Sequence, residues 1–366
     1  MTLRKHLNEL ETPAPIIDLD VLASNISRMQ ARVSESGKRL RPHLKTHKLP
    51  EIARMQGAAG ASGVTVAKPS EARIMAAVGV EDIFIAHQVV DPRKLEALAE
   101  IAMTTELILA ADSVEVVNLY AAAVKGKSAG FKIRIEVDTG LGRAGVQSNI
   151  EALEVATAIE RAEGLRLEGM FTHEGHLYRY PVREEREREA QHAAQRLKAI
   201  VEAVRDAGIE VKTVSMGSTP GAEFLVNEAG IDELRPGNYV FNDVMQVRLG
   251  SATFAECALS ILATVVSVRA GGRVLIDAGT KALASDCPFP DRTYGVLPEY
   301  PEVVFVSANE EHGYLDAPVG TFRVGDRVRV ISNHACTCLN MHDEVWAIRD
   351  EQVEARWGVM ARGAVT

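Results

Sequence analysis

Residues 40–53 read LRPHLKTHKLPEIA, a stretch that begins like a buried strand and ends in cationic side chains. Strand alternation over RPHLK places His43 and Lys45 on one face and Leu44 on the other. A lysine turned into a barrel mouth loses hydration, so its amine pKa falls and it becomes a usable nucleophile. Lys48 reads instead as a solvated residue at a helix start. Two turns rich in small residues, GSTPG (217–221) and GNY (237–239), offer close backbone approach, and Ser218 and Thr219 add hydroxyl donors. Such turns suit a phosphate, although GSTPG is also ordinary turn sequence. A phosphate pocket plus one inward lysine is the minimum needed to hold pyridoxal phosphate as a Schiff base.

A second constellation is NHACTCLN, where His334 and Cys336 stand two apart. On a strand both would face one side, and one divalent ion (Mn, Zn, Mg or Co) could take both, with water and substrate completing its shell. By spacing alone, a packed core thiol explains Cys336 as well. Cys338 reads as a core thiol, His342 as structural or superficial, and His312 as part of a turn. Lys281 and Asp286 in GTKALASD (279–286) read either as lining a site or as an exposed loop. The charge run REEREREAQH reads as a solvated helix face.

The elements that must position these groups follow from the apolar pattern. From residue 40, short β-rich runs alternate with helical patterns: RPHLK, GVTVA, DIFIAH, ELILAAD, FKIRIEVD, LRLEGMFTH, EVKTVSM and ELRPGNYVF are the strands. Near-continuous apolar runs are what parallel strands covered on both faces require. Eight βα repeats in about 200 residues fit a (β/α)8 TIM-type barrel over 23–248. Beyond it, 249–366 reads as a β-strand domain carrying His334 and Cys336, and 1–22 as a segment pairing with that domain. Active groups of barrels gather at the C-terminal ends of strands, which selects Lys45, Lys68, His87, Asp112, Asp138 with Arg143, His173 and the two small-residue turns.

The 366 residues, 46% hydrophobic and 25% charged, have ample core for two domains. A net charge of −9 argues against nucleic acid or an anionic membrane as partner. No apolar run approaches the roughly 18 residues of a membrane helix. The N-terminus lacks a signal-peptide core, and four cysteines do not make a disulfide framework, so a cytoplasmic location is expected.

RPHLKTHK, DTGLGRAG, GSTPGAE, RPGNYVFND, EEHG and NHAC occur in an order that resembles the D-threonine aldolase and D-serine dehydratase family, whose barrel is similar to that of alanine racemase. The resemblance spans about residues 13–362. It implies that Lys45 is the Schiff-base lysine and that Gly217, Ser218, Thr219, Gly237, Asn238 and Tyr239 surround the cofactor. Arg143 would lie near the ring and His173 beside or beneath it, with Tyr178 a further cofactor contact. Lys45, His173 and His176 would be the catalytic residues, and His334 and Cys336 the metal ligands. The expected activity is a pyridoxal phosphate- and metal-dependent lyase for β-hydroxy-D-amino acids, with retro-aldol cleavage to glycine and an aldehyde. Dehydration of D-serine or 3-hydroxy-D-aspartate to a 2-oxo acid and ammonia is the alternative. A racemase would need a second base opposite Lys45, and a barrel-only cofactor carrier would lack residues 250–366. The resemblance further implies a homodimer.

Overall fold

Eight apolar runs form the parallel strands of the first unit. The computed structural model describes residues 5–288 and 293–366. Its barrel unit comprises 28–45, 52–237 and 364–366. The strands follow the order Arg39–Leu40, Glu233–Leu234, Thr213–Met216, Leu165–Phe171, Phe131–Glu136, Glu106–Ala111, Asp82–Ile85 and Val64–Val66. A His43–Thr65 bridge and the Thr65 N–H donating to Pro42 O (2.8 Å) join the first strand to the last, closing the ring. The expected (β/α)8 barrel is present.

Helices follow the strands where the sequence places stop and start signals. Asp91, Ser113 and Ser148 cap Pro92–Ile101, Val114–Val124 and Asn149–Arg161 by accepting backbone N–H groups in the first turn. The long charged pattern forms Arg183–Asp206 and buries Ala190, Ala194, Leu197 and Val201 along one stripe.

Three elements differ from the sequence reading. RPHLK is not one strand: the continuous ladder covers only Arg39–Leu40, the Arg41 and His43 N–H groups still donate to Leu234 O and Pro236 O, and Leu44–Thr46 then forms a 3-10 turn. The eighth strand likewise ends at Leu234, ahead of Pro236. Lys48 is not solvated; it is buried, with φ of 57°, and its carbonyl accepts the Ala361 N–H. A 17-residue helix, Leu19–Glu35, also precedes the first barrel strand, where the repeat count registered nothing.

The barrel interior carries a floor of charge. Glu233 and Arg134 are completely buried and meet at 2.5 Å, although two strands separate theirs around the ring, so the bond crosses the barrel. Arg41 bonds Glu233 at 2.8 Å and Asp82 at 2.6 Å, Arg134 also pairs with Glu168, and Ser215 Oγ donates to Glu233 at 2.6 Å. Burial alone would raise the Glu233 pKa, but Arg134 and Arg41 overcome it and hold the carboxyl well below its usual range.

The second unit takes 1–27, 46–51 and 238–363. Its sheet runs from Lys5–His6 through Gln352–Gly358, Glu344–Arg349, Ala14–Asp18, Leu259–Val268, Arg273–Ile276 and Gly313–Asp316 to Val304–Ala308. Arg327–Ser332 also pairs with Leu259–Val268. Ala14–Asp18 lies between Glu344–Arg349, which it parallels, and Leu259–Val268, which it opposes. Strand periodicity sends neighbouring residues to opposite faces. Ile261 thus joins Val265, Ile276, Phe305 and Leu315 in one core, while Leu262 joins Leu7, Ile16 and Ile348 in another. Among the described residues, no helix is long and apolar enough to cross a membrane.

Candidate active site

Lys45 owes its position to the break in the first strand. Leu44 is anchored in the core at 1% exposure, and the Lys45 N–H donates to His43 Nδ1 at 3.3 Å. The His43 N–H donates to Pro236 O at 3.0 Å, which ties this turn to the segment carrying Gly237. Desolvation, then the positive charge of Lys45, holds His43 well below 6.5, and His173, Arg235 and Arg143 act in the same direction. His173 is held down by desolvation, Lys45, Arg143 and Arg235. Both imidazoles are therefore neutral at physiological pH. The shared electrostatics group Lys45, His43, His173, Arg143 and Arg235 into one cluster.

Arg143 is aimed by the DTGLGRAG loop. Asp138 Oδ1 accepts the N–H groups of Gly140 and Gly142, both at 3.0 Å, which folds the loop back. At Gly145 a Cβ would meet Asp138 N at 2.6 Å, so only glycine fits. The Arg143 guanidinium pairs with buried Glu136 at 3.0 Å, and the other Glu136 oxygen accepts from Gln88 at 2.7 Å. Lys68 and His87, both strand-end residues, approach to 3.3 Å.

The GSTPG turn is a tight, buried cup. Gly217 adopts φ of +141°, and a Cβ there would lie 2.5 Å from Arg235 N. Ser218 and Thr219 are 4% and 8% exposed. Ser218 Oγ accepts the Gly221 N–H at 3.2 Å, leaving its hydroxyl hydrogen to donate. The Gly217 N–H is already given to Glu174 Oε2 at 3.1 Å, so Gly217 contributes shape rather than a donor. His173 hydrogen-bonds the Gly217 backbone, which joins the cup to the Lys45 cluster.

His176 and Tyr178 stand on the 3-10 turn Gly175–Arg179. The His176 ring packs at Gly140, and its buried Nδ1 has no hydrogen-bond partner. Its charged neighbours are Glu174, Glu189, Arg179 and Asp138, a different set from that around His173. Tyr178 is half-buried.

In the β unit, Asn238 and Tyr239 are buried in a 3-10 turn. Asn238 Nδ2 donates to Asp243 Oδ2 at 2.5 Å, while Asn238 Oδ1 is buried without a partner. The same Asp243 oxygen accepts the Ala335 N–H at 2.9 Å, and Asp243 Oδ1 takes the Gln246 N–H at 3.0 Å. Asp243 thus holds both Asn238 and the first turn of the Ala335–Leu339 helix.

His334 and Cys336 are not on a strand. Arg327–Ser332 ends before them, His334 caps the short helix, and Cys336 lies in its first turn. The two side chains still meet: burial works against the charge, but Cys336 and Asp286 raise the His334 pKa to about 11. His334 Nδ1 lies 2.8 Å from Asp286 Oδ2, and Thr46 Oγ1 lies 3.2 Å from Cys336 Sγ. Cys338 is fully buried and donates to Ala282 O at 3.3 Å. His342 Nε2 bonds the same carbonyl at 2.8 Å. His312 sits in the exposed turn between Val304–Ala308 and Gly313–Asp316, and Lys281 pairs with Glu311 on the surface.

Sequence reasoning passed over Arg235, Glu174, Asp243 and Thr46. Arg235 had a signal, a charge at the end of a buried strand in RPG; the others had none beyond ordinary capping patterns.

Residues 17–244 match the family described as alanine racemase, N-terminal domain, and residues 258–348 a putative serine dehydratase domain. The chain is 32% identical to D-threonine aldolase from Arthrobacter sp, over 98% of its own length and 94% of that protein's. It belongs to the D-threonine aldolase and D-serine dehydratase family. A solved structure of D-threonine aldolase from Filomicrobium marinum superposes with a TM-score of 0.94 at 30% identity, covering all of both chains. D-threo-3-hydroxyaspartate dehydratase from Delftia sp. is 36% identical over 89% of this chain and 91% of that one. One solved form of it, a cysteine variant described as metal-free, has a TM-score of 0.91 and 33% identity, over 97% of this chain and 99% of that one.

Members of the family are pyridoxal phosphate-dependent lyases, and the residues fit that cofactor. The Ser218–Thr219 cup is closed to side chains at Gly217 and keeps a hydroxyl donor for an anion. The His334 imidazole and the Cys336 thiol are in contact, a donor set that would suit a divalent ion. Among the described residues, no group of three or more His, Cys, Asp or Glu is placed to hold an ion.

Proposed function

We propose that the protein is a lyase that cleaves β-hydroxy-D-amino acids to glycine and an aldehyde, using pyridoxal phosphate at Lys45 and a divalent ion at His334 and Cys336. What carries the reading is one arrangement: His173 shares its surroundings with Lys45 and bonds the backbone of the Gly217 turn. Whole-length similarity to D-threonine aldolase supports it.

Pyridoxal phosphate, when bound, supplies an electron sink for a bond broken at Cα. A divalent ion supplies a Lewis acid for the β-hydroxyl. Ser218 and Thr219 hold the phosphate with hydroxyl donors, and Asn238 Oδ1, a buried acceptor without a partner, awaits a donor. His173 would present a neutral imidazole to the cofactor. Arg143, steadied by Glu136, adds positive charge beside it. Lys45 Nζ would attach the cofactor. In the cleavage reading a base takes the β-hydroxyl proton as the Cα–Cβ bond breaks, and Lys45, once released, would return a proton to Cα. Removal of the Cα proton by Lys45 belongs to dehydration. The reading includes a homodimer in the cytoplasm.

A second reading is dehydration to a 2-oxo acid and ammonia, which Cys336 favours: the Delftia dehydratase is similar to this chain and its cysteine variant is described as metal-free. D-Threonine distinguishes them. Acetaldehyde with glycine is the expected product pair; 2-oxobutanoate with ammonia would establish the second reading, and no product with either would overturn both. Chelation with EDTA should remove activity, with restoration by Mn2+ or Zn2+.

A further inference from the structure

We propose that Asp286 is the positioning residue of the metal site: it fixes the ring of His334 so that Nε2 faces the ion. The inference rests on the metal reading above and adds a residue that touches neither ion nor substrate.

An imidazole has two nitrogens, and the partner of one decides the role of the other. Asp286 Oδ2 lies 2.8 Å from His334 Nδ1. An ionised carboxylate only accepts, so Nδ1 carries a hydrogen in either protonation state, and Nε2 is the nitrogen at which a metal ion would take the place of a proton. The same oxygen accepts the Thr337 hydroxyl at 2.7 Å, which fixes the carboxylate's own rotation. With two donors on Oδ2, that oxygen is committed to the turn that carries the ligands, and through it Asp286 acts on His334.

The backbone is arranged for this contact. The Asp286 carbonyl accepts from Asn333 Nδ2 at 2.8 Å, and Asn333, 1% exposed, also donates to Thr293 O at 2.5 Å. Asn333 thus pins the 286 segment beside the 334 turn before any side chain of the pair is counted. Just upstream, Ala284 is held at φ 71° and ψ 166°, a region that residues with a Cβ rarely enter. Such strain persists only where surrounding contacts over-determine the chain, and here they deliver Asp286 to His334.

The test is metal affinity of the full-length protein, stripped of metal and titrated with Mn2+ or Zn2+ against a chelating indicator, with pyridoxal phosphate loading read separately by absorbance. Asp286→Ala should weaken metal binding about 10- to 100-fold and leave cofactor loading unchanged. Asp286→Asn should recover part of the loss, because its amide oxygen still accepts from Nδ1. Thr337→Val, which removes only the hydroxyl, should cost a smaller factor and guards against misfolding of the first variant. His334→Ala should nearly abolish binding. If His334→Ala leaves affinity intact, the metal reading itself fails. If His334→Ala lowers affinity while the Asp286 and Thr337 variants bind as wild type, the metal reading stands and the positioning role is overturned. Equal loss of metal and cofactor in Asp286→Asn would also overturn it, since that marks a general collapse.

Discussion

Lys45 adds positive charge beside two imidazoles, and with desolvation it holds both His43 and His173 neutral. Lys45→Ala should abolish turnover and the borohydride-reducible link to the cofactor; retention of either would remove Lys45 from its role. The sequence singles out Lys45 as an inward amine at a strand end; the structure puts it on the 3-10 turn Leu44–Thr46. Strand spacing pairs His334 and Cys336 as candidate ligands, and the structure has no strand there. His334 and Cys336 come together at a helix start, where first-turn side chains can also meet. Asp286 was visible only as one of two polar groups in a loop, because a partner 48 residues away in sequence leaves no local pattern.

At the scale of elements, glycines and prolines decide where the groups point. Gly217 is the sharpest case: an alanine there would take φ +141° and drive its Cβ against Arg235 N, a backbone atom that cannot yield. Strain of about 1–3 kcal/mol is expected, relieved by opening the cup. Gly217→Ala should therefore weaken pyridoxal phosphate binding by about tenfold or more, read by cofactor fluorescence, with metal affinity of the β unit unaltered. Parallel strands and their helices could be read from apolar runs because burial on both faces demands them. Strand ends could not: the first and eighth strands have only two residues of continuous ladder each, and RPHLK leaves the extended form for a 3-10 turn at Leu44–Thr46. The Leu19–Glu35 helix escaped because it precedes the repeat on which the count rested.

Across the whole barrel, stability depends on the charged floor. Glu233 has its pKa depressed in the folded chain, chiefly by Arg134 and Arg41 acting against burial. A depressed carboxyl stabilises the fold fully above its unfolded pKa of about 4.5, and that contribution is lost as pH falls below it toward the folded value. Glu233→Gln should cost about 3–5 kcal/mol at neutral pH, since it leaves two buried arginines short of a partner. The variant should also show a shallower loss of stability than wild type below about pH 4.5. Urea unfolding at several pH values checks both, and equal acid slopes would mean the floor is not what titrates. Nothing in the apolar pattern announced this network, because Arg41, Arg134 and Glu233 are isolated charges whose partners are remote in sequence, on neighbouring strands or, for Arg134 and Glu233, across the ring.

Arg41 stands four residues before Lys45, tethered to Glu233 and Asp82, and the rigid ring of Pro42 follows it. The amine is thereby mounted on a short stiff arm whose far end is bolted beneath the barrel. Asp82, partly open to solvent, is an outside handle on that arm. Directed evolution for altered reactivity has a route there, retuning the lysine from below while every group at the mouth keeps its identity.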